Sequence, residues 1–141
     1  MKIATIEDVE EIKVMAMKFM ATTGYTKYSN EEAILRLINT IVTGPQNEMI
    51  ILLKPGVGFL AGMSSPFVFG DCKLASEIAW WIDEEKRNSG IGKELVEAFE
   101  YWAKNVAGCT LITLTGLDEG LGKFYEKKGY ELYERAYMKA I

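Results

Sequence analysis

The segment from residue 74 to 115 constrains the fold more than any other part of the chain. It begins with an apolar strand, Leu74 to Ile82, and passes through a glycine-containing turn into an amphipathic helix from Gly90 to Val106. Gly108 ends that helix, and a strand of buried type, Thr110 to Thr115, follows. The strand–helix–strand order predicts two parallel strands in the same sheet. Their connection is expected to be a right-handed crossover, as such connections almost always are.

Shorter patterns before this segment predict a strand, two helices and a hairpin. Apolar residues at helical spacing mark both helices, and Thr5 and Asp8 precede the first in the arrangement of a capping box. Two apolar runs flank Lys54-Pro55-Gly56, which is typical of a β-hairpin. The predicted elements are a strand from 2 to 6, helices that end at Gly24 and at Gly44-Pro45, and strands from 49 to 53 and from 57 to 63.

The remaining residues predict a short helix and a last strand. The helix runs from Glu119 to Lys128, and Tyr130 to Met138 is typical of a final strand or a broken pair of strands. The complete order is β-α-α-β-β-β-α-β-α-β, with antiparallel and parallel pairs in one mixed central sheet. We therefore expect an α/β (mixed α+β) chain whose residues 1–141 form a single domain.

Composition excludes several functional classes. The chain has 16 Lys and Arg against 20 Asp and Glu, a net charge of −4, which disfavours nucleic-acid binding. It has no histidine, which removes Ser-His-Asp triads, Cys-His dyads and most zinc sites, so we expect no metal. Cys72 and Cys109 are too few for a disulfide framework. The acidic start and the lack of a long apolar run predict a cytoplasmic protein that binds no membrane.

The turn between the apolar strand and the amphipathic helix has the features of a diphosphate-binding loop. Its sequence is Arg87-Asn88-Ser89-Gly90-Ile91-Gly92, followed by Lys93. Glycines let an anion approach the backbone, and the unpaired N–H groups and dipole of a helix N-terminus favour negative charge. A Walker A loop is excluded because no Gly-Lys-Ser/Thr follows, and a dinucleotide fingerprint would need glycine in place of Leu95. The alternative is a loop whose glycines only cap the helix.

The pattern Arg87-x-x-Gly90-x-Gly92 after a strand resembles the R/Q-x-x-G-x-G/A motif of the GNAT superfamily of N-acetyltransferases. The element order is similar to that superfamily over nearly the whole chain. A second segment, Phe124 to Tyr130 (FYEKKGY), resembles the family's FYEKxGF motif. The resemblance implies transfer of an acetyl group from acetyl-CoA, the co-substrate, to a primary amine. A non-catalytic acyl-CoA-binding module of this fold is the alternative, and an interaction protein that uses the aromatic loop at Tyr25 and Tyr28 is a third.

The resemblance also implies where the cofactor lies. The strand from Glu77 to Ile82 is expected to splay from its parallel neighbour, with the pantetheine arm in the gap. The implied backbone contacts are those of Trp80, Trp81 and Ile82, and the diphosphate contacts are those of the loop from Arg87 to Lys93. Asp118 stands where many family members carry an Asn that touches the arm.

The resemblance implies two catalytic residues. Tyr125 matches the tyrosine that often protonates the leaving CoA thiolate. Glu77 is the candidate general base, although many members carry this acid one residue earlier, at the position of Ser76. The acceptor is a small-molecule or peptide amine that the sequence does not specify, and the loop from Gly24 to Asn30 is expected to shape its site. Homodimers are common in the superfamily.

Overall fold

The computed structural model describes all 141 residues and has one mixed sheet with helices on both faces. The strands are β1 (Lys2–Ile3), β2 (Met49–Lys54), β3 (Gly58–Pro66), β4 (Lys73–Ile82) and β5 (Leu111–Thr113). The α-helices are α1 (Val9–Ala21), α2 (Glu31–Thr43), α3 (Ile91–Asn105) and α4 (Glu119–Lys127). The strands lie in sequence order; β1 to β4 pair antiparallel, and β5 pairs parallel to β4. The predicted mixed α/β fold and the predicted parallel pair are confirmed.

The sheet separates two hydrophobic cores. On one face, α1 and α2 cover the sheet with buried apolar side chains, which are Ile12, Met15, Ile38 and Ile41. On the other face, α3 contributes Leu95, Val96, Phe99, Trp102 and Ala103. Both helix sets carry their apolar residues at a spacing of three or four, as the sequence predicts. None of the helices combines the length and the apolar character needed to span a bilayer.

Strand β4 carries a β-bulge at Ile78, which the sequence did not predict. Strand β3 pairs with Ala79 and with Glu77 but leaves Ile78 without a partner. Because side chains alternate between the faces of a strand, one extra residue reverses the alternation beyond it. Ala75 before the bulge and Trp80 after it therefore contact the same core, the one beneath α3.

Strands β4 and β5 pair over a short length only. The pairs are Leu74 with Leu111, Ala75 with Ile112 and Ser76 with Thr113. Strand β4 then continues to Ile82, whereas β5 ends at Thr113, two residues before the predicted Thr115. From Glu77 onward, β4 therefore has no parallel neighbour, and a gap opens between the strands.

The final strand predicted over Tyr130 to Met138 is absent, so that prediction is wrong. The N–H of Tyr130 donates to the Tyr125 carbonyl and closes α4, and residues 130–141 form no strand. Every residue from Glu131 to Ile141 is exposed. A segment that buries no apolar side chain gains too little to offset the conformational entropy lost on joining a sheet. The sheet therefore ends at β5.

Candidate active site

A cleft of about 870 Å³ lies at the gap between β4 and β5. Its walls come from α1, from β4 from Glu77 onward, from the turn before α3, and from the start of α4. Most of the site residues predicted from sequence lie in these walls: Glu77, Trp81, Ile82, Arg87, Asn88, Gly90, Gly92, Lys93 and Asp118. The fold therefore brings together residues that are up to 41 positions apart between Glu77 and Asp118.

The turn before α3 presents unpaired backbone donors to the cleft. Asn88 and Gly90 both have positive φ angles, 61° and 86°. The backbone N–H groups from Asn88 to Lys93 donate to no other group of the protein. Consecutive free N–H groups at the N-terminus of a fifteen-residue helix form a site for an anion. The cationic side chains of Arg87 and Lys93 line the same part of the cleft.

The two glycines of the turn serve different purposes. A Cβ on Gly90 would meet nothing within 4 Å, so glycine is needed there for the left-handed backbone at the N-cap of α3. A Cβ on Gly92 would lie 3.3 Å from the Trp80 ring and 3.4 Å from Cδ1 of Ile82. Gly92 therefore lets α3 pack closely on β4, a role that the sequence prediction did not include.

Arg87 is held on the outer end of β4. Its guanidinium lies 4.6 Å from the centroid of the Trp81 ring, and its Nε donates to the Ile82 carbonyl at 2.9 Å. Trp81 in turn donates through Nε1 to Asp83 at 2.9 Å, and this hydrogen bond, with an ion pair from Lys18, lowers the pKa of Asp83. Asp83 therefore anchors the end of β4 against which the Arg87 guanidinium packs.

Two residues predicted for the site, Ser89 and Ile91, do not line the cleft. The Ser89 hydroxyl donates to the Lys86 carbonyl, and the Ile91 side chain packs against the core beneath α3. Only their backbone N–H groups, which are among the free donors of the turn, remain candidates for ligand contact.

Glu77 and Tyr125 meet at the same residue across the gap. The Glu77 carboxylate accepts the Thr115 N–H at 3.1 Å, and the Tyr125 hydroxyl donates to the Thr115 carbonyl at 3.0 Å. Trp80 Nε1 donates to the Tyr125 oxygen at 3.1 Å. This network, Glu77–Thr115–Tyr125–Trp80, connects β4, the segment after β5, and α4. Both candidate catalytic groups therefore lie close to the backbone of one residue, although the Tyr125 side chain is buried and does not line the cleft.

Burial changes the acidity of both groups. It raises the pKa of Glu77 to about 7, against the opposing effect of the Thr115 N–H bond. A carboxyl of this kind is about half ionised at neutral pH, which suits a general base. Burial, and next the charge of Glu77, raise the pKa of Tyr125, so the phenol keeps its proton throughout the physiological range.

Asp118 has a structural role at the start of α4. Its carboxylate accepts the Leu121 N–H at 2.8 Å and forms the N-cap of the helix. It also lines the cleft, so a ligand there would meet a carboxylate that already accepts one hydrogen bond.

Several cleft residues were not predicted as site residues. They are Phe19, Thr22, Ile78, Thr115, Leu117, Gly120, Leu121 and Phe124. Phe19 belongs to the apolar face of α1, and its spacing alone does not distinguish core from cleft. Tyr25 lies in the loop expected to shape an acceptor site. No group of His, Cys, Asp and Glu side chains is arranged to hold a metal ion.

A family model for the acetyltransferase (GNAT) domain matches residues 47–132, which is more than half of the chain. The chain belongs to the GNAT acetyltransferase family. Members of this family use acetyl-CoA, and the matched region contains the turn, the gap and α4. A comparison with curated proteins gives no match.

Solved structures share the fold over the whole chain. One is AAC(6')-Iy in complex with a bisubstrate analogue, CoA-S-monomethyl-acetylneamine (TM-score 0.76, 16% identity, 99% of this chain and 95% of that one). Another is a GNAT family acetyltransferase from Staphylococcus aureus (TM-score 0.70, 20% identity, 99% and 96%). A third is a ribosomal-protein-alanine N-acetyltransferase from Brucella melitensis (TM-score 0.72, 13% identity, 99% and 98%). Because the sequence identities are low, these comparisons support a shared fold and not a shared substrate.

The donor side of the site fits coenzyme A. A CoA diphosphate is an anion that matches the free N–H groups from Asn88 to Lys93 and the cations Arg87 and Lys93. The backbone of β4 beyond Glu77 is free of a parallel partner and offers hydrogen bonds to an amide-bearing arm.

Proposed function

We propose that the protein is an N-acetyltransferase that moves the acetyl group of acetyl-CoA to a primary amine by direct attack. The observation that supports this most is the run of free N–H groups at the start of α3, which leads along β4 to Glu77. The free N–H groups at one end of the cleft suit the diphosphate of a CoA thioester. The carboxyl at the other end, with a pKa of about 7, suits removal of a proton from an amine.

The reaction forms one bond and breaks another at the same carbon. The amine nitrogen bonds to the acetyl carbonyl carbon, the carbon–sulfur bond breaks, and the sulfur leaves with its electron pair. The attacking nitrogen must first lose an ammonium proton, and Glu77 accepts it directly or through water. After the attack the nitrogen loses a second proton, and the leaving sulfur takes up one proton. The products are an amide, CoA as its thiol, and one proton that Glu77 passes to solvent.

Tyr125 is the proposed donor to the leaving sulfur. Its hydroxyl carries a proton at neutral pH and donates a hydrogen bond to the Thr115 carbonyl. In this role the hydroxyl must exchange that acceptor for the sulfur.

A thermal-shift and calorimetric titration with acetyl-CoA tests the donor side. We expect saturable binding and a higher melting temperature, because a ligand that binds only the folded state stabilises it. Arg87→Ala should weaken binding several-fold, whereas Lys104→Ala, an exposed cation at the far end of α3, should not. No response at millimolar acetyl-CoA excludes the proposal.

The alternative is a module of this fold that binds acyl-CoA without turnover. Released thiol, measured with a panel of amines, separates the two functions. Binding without any amine-dependent thiol release would favour the module. An interaction protein that uses Tyr25 and Tyr28 has less support, because Tyr25 lies in the wall of the cleft.

A further inference from the structure

A second cavity, of about 320 Å³, lies between α1, α2 and the sheet. All 13 residues that line it are hydrophobic. Phe19, Tyr25 and Ile78 line both this apolar cavity and the cleft, so the two adjoin there. Ile78 is the bulged residue that follows Glu77 on β4, and the apolar cavity therefore meets the cleft beside the candidate base.

The apolar cavity is unsuited to a polycation. No carboxylate, ammonium or guanidinium lines it, and the Tyr25 hydroxyl is its only strong hydrogen-bonding side-chain group. A second or third charged nitrogen placed there would lose its hydration without a partner. Its volume of about 320 Å³ corresponds to roughly ten water molecules at ~30 Å³ each, which is enough for an aromatic ring or a branched alkyl chain with a short linker.

The cleft provides one carboxylate beside the apolar cavity. Its lining includes only two acidic residues, Glu77 and Asp118, and each accepts one backbone N–H. Glu77 is followed directly by Ile78, which lines both the cleft and the apolar cavity, whereas Asp118 lies at the start of α4 and has no neighbour in that cavity. One charge partner beside one apolar cavity matches a molecule with one charged nitrogen and one apolar arm.

We propose that the acceptor is a primary amine with a single cationic nitrogen and a single apolar arm, an arylalkylamine or branched alkylamine. The arm fills the apolar cavity and the nitrogen lies at Glu77. This inference rests on the proposed function for its chemistry. Removal of the arm from water favours binding, and an acceptor that lacks the arm loses that contribution.

The first test compares acceptors by kcat/KM for thiol release from acetyl-CoA. We expect 2-phenylethylamine and isopentylamine to exceed ethanolamine and spermidine by at least about tenfold, because a hydrophobic pocket discriminates by factors of this order or more. Equal or better use of ethanolamine or spermidine overturns the inference and leaves the proposed function intact.

The second test fills the apolar cavity. Ala16 lines it from α1, whereas Ala21 lies on the same helix, exposed and outside the cavity. Ala16→Phe should raise the KM for 2-phenylethylamine about tenfold or more and leave the affinity for acetyl-CoA unchanged. Ala21→Phe should change neither. A melting temperature within a few degrees of the parent establishes that each variant folds, and Ala16→Val is the milder replacement where Ala16→Phe does not fold.

A binding measurement separates failure of the inference from failure of the proposed function. Calorimetry with CoA-saturated protein should detect 2-phenylethylamine and not spermidine, even in the absence of turnover. If acetyl-CoA binds and no amine is acetylated, the proposed function fails, and the calorimetry still decides the ligand of the cavity. If Ala16→Phe impairs only the use of octanoyl-CoA, the cavity holds the acyl group and the inference is wrong.

Discussion

At the scale of single residues, Glu77 decides how the chain would respond to pH. A base acts in its deprotonated form, so activity should fall as pH drops through a pKa of about 7. We expect Glu77→Gln to lower kcat by about 100-fold and to abolish the inflection near pH 7 in the profile of kcat/KM against pH. Only the rise that comes from deprotonation of the free amine at higher pH should remain.

Glu119→Gln is the matched control for this prediction. Glu119 is an exposed carboxylate in the first turn of α4 and does not line the cleft. Its replacement should leave the pH profile unchanged. An inflection near pH 7 that persists in Glu77→Gln would assign the base to another group.

Tyr125 gives a second prediction at this scale. Tyr125→Phe removes the hydroxyl that accepts from Trp80 and donates to Thr115. We expect kcat to fall at least tenfold while the KM for acetyl-CoA changes little, because the lost interaction acts on the leaving sulfur. Steady-state kinetics at saturating amine measures both parameters.

Tyr130→Phe controls for the structural part of that loss. Tyr130 is also partly buried, and its hydroxyl donates to Glu100 at 2.8 Å, away from the cleft. Tyr130→Phe should lose about 1 kcal/mol of unfolding free energy because it loses one hydrogen bond, and Tyr125→Phe about 2 kcal/mol because it loses two. Equal kcat in the two variants would leave Tyr125 with a structural role alone.

At the scale of elements, the site depends on how closely α3 lies against the sheet. A Cβ on Gly62 would lie 2.7 Å from Cζ of the buried Phe99, so β3 and α3 can approach only because this position is glycine. Gly62→Val should lower the free energy of unfolding by about 1–3 kcal/mol through overpacking. Urea denaturation measures the change.

A second glycine predicts the opposite sign. Gly122 lies within α4, and a Cβ there would meet nothing within 4 Å. Gly122→Ala should therefore raise the free energy of unfolding by about 0.5–1 kcal/mol, because alanine favours the helix. Destabilisation by Gly122→Ala, or a neutral Gly62→Val, would contradict the packing described for these helices.

At the scale of the whole molecule, the two faces of β4 contact different parts of the candidate site. Trp80 and Ile82 pack towards α3, whose N-terminus carries the free N–H groups. Ile78, Ala79 and Trp81 pack towards α1 and α2, where the apolar cavity lies. Glu77 lies between the two because the bulge follows it directly. In the proposed reaction, acetyl-CoA and the amine would therefore approach from opposite sides of one strand.

The sequence by itself determined nearly all of the helices and strands and the position of the glycine-containing turn between β4 and α3. Hydrophobic periodicity identified the four helices and the first five strands, since local spacing reflects which face each element buries. The turn from Arg87 to Gly92 was predicted because its glycines and charges are contiguous in the chain. The wrong strand over Tyr130 to Met138 has the same origin, because a local run of aromatic and apolar residues does not reveal whether a neighbouring sheet edge is available.

Only the tertiary structure decided the rest. The bulge at Ile78 reverses which residues of β4 face each core, and no local pattern predicts an unpaired residue. Three other features join segments that are far apart in the chain. They are the contact of Glu77 and Tyr125 with Thr115, the close packing at Gly92, and the apolar cavity. Such features depend on which distant side chains meet, and that is settled by packing rather than by the order of residues.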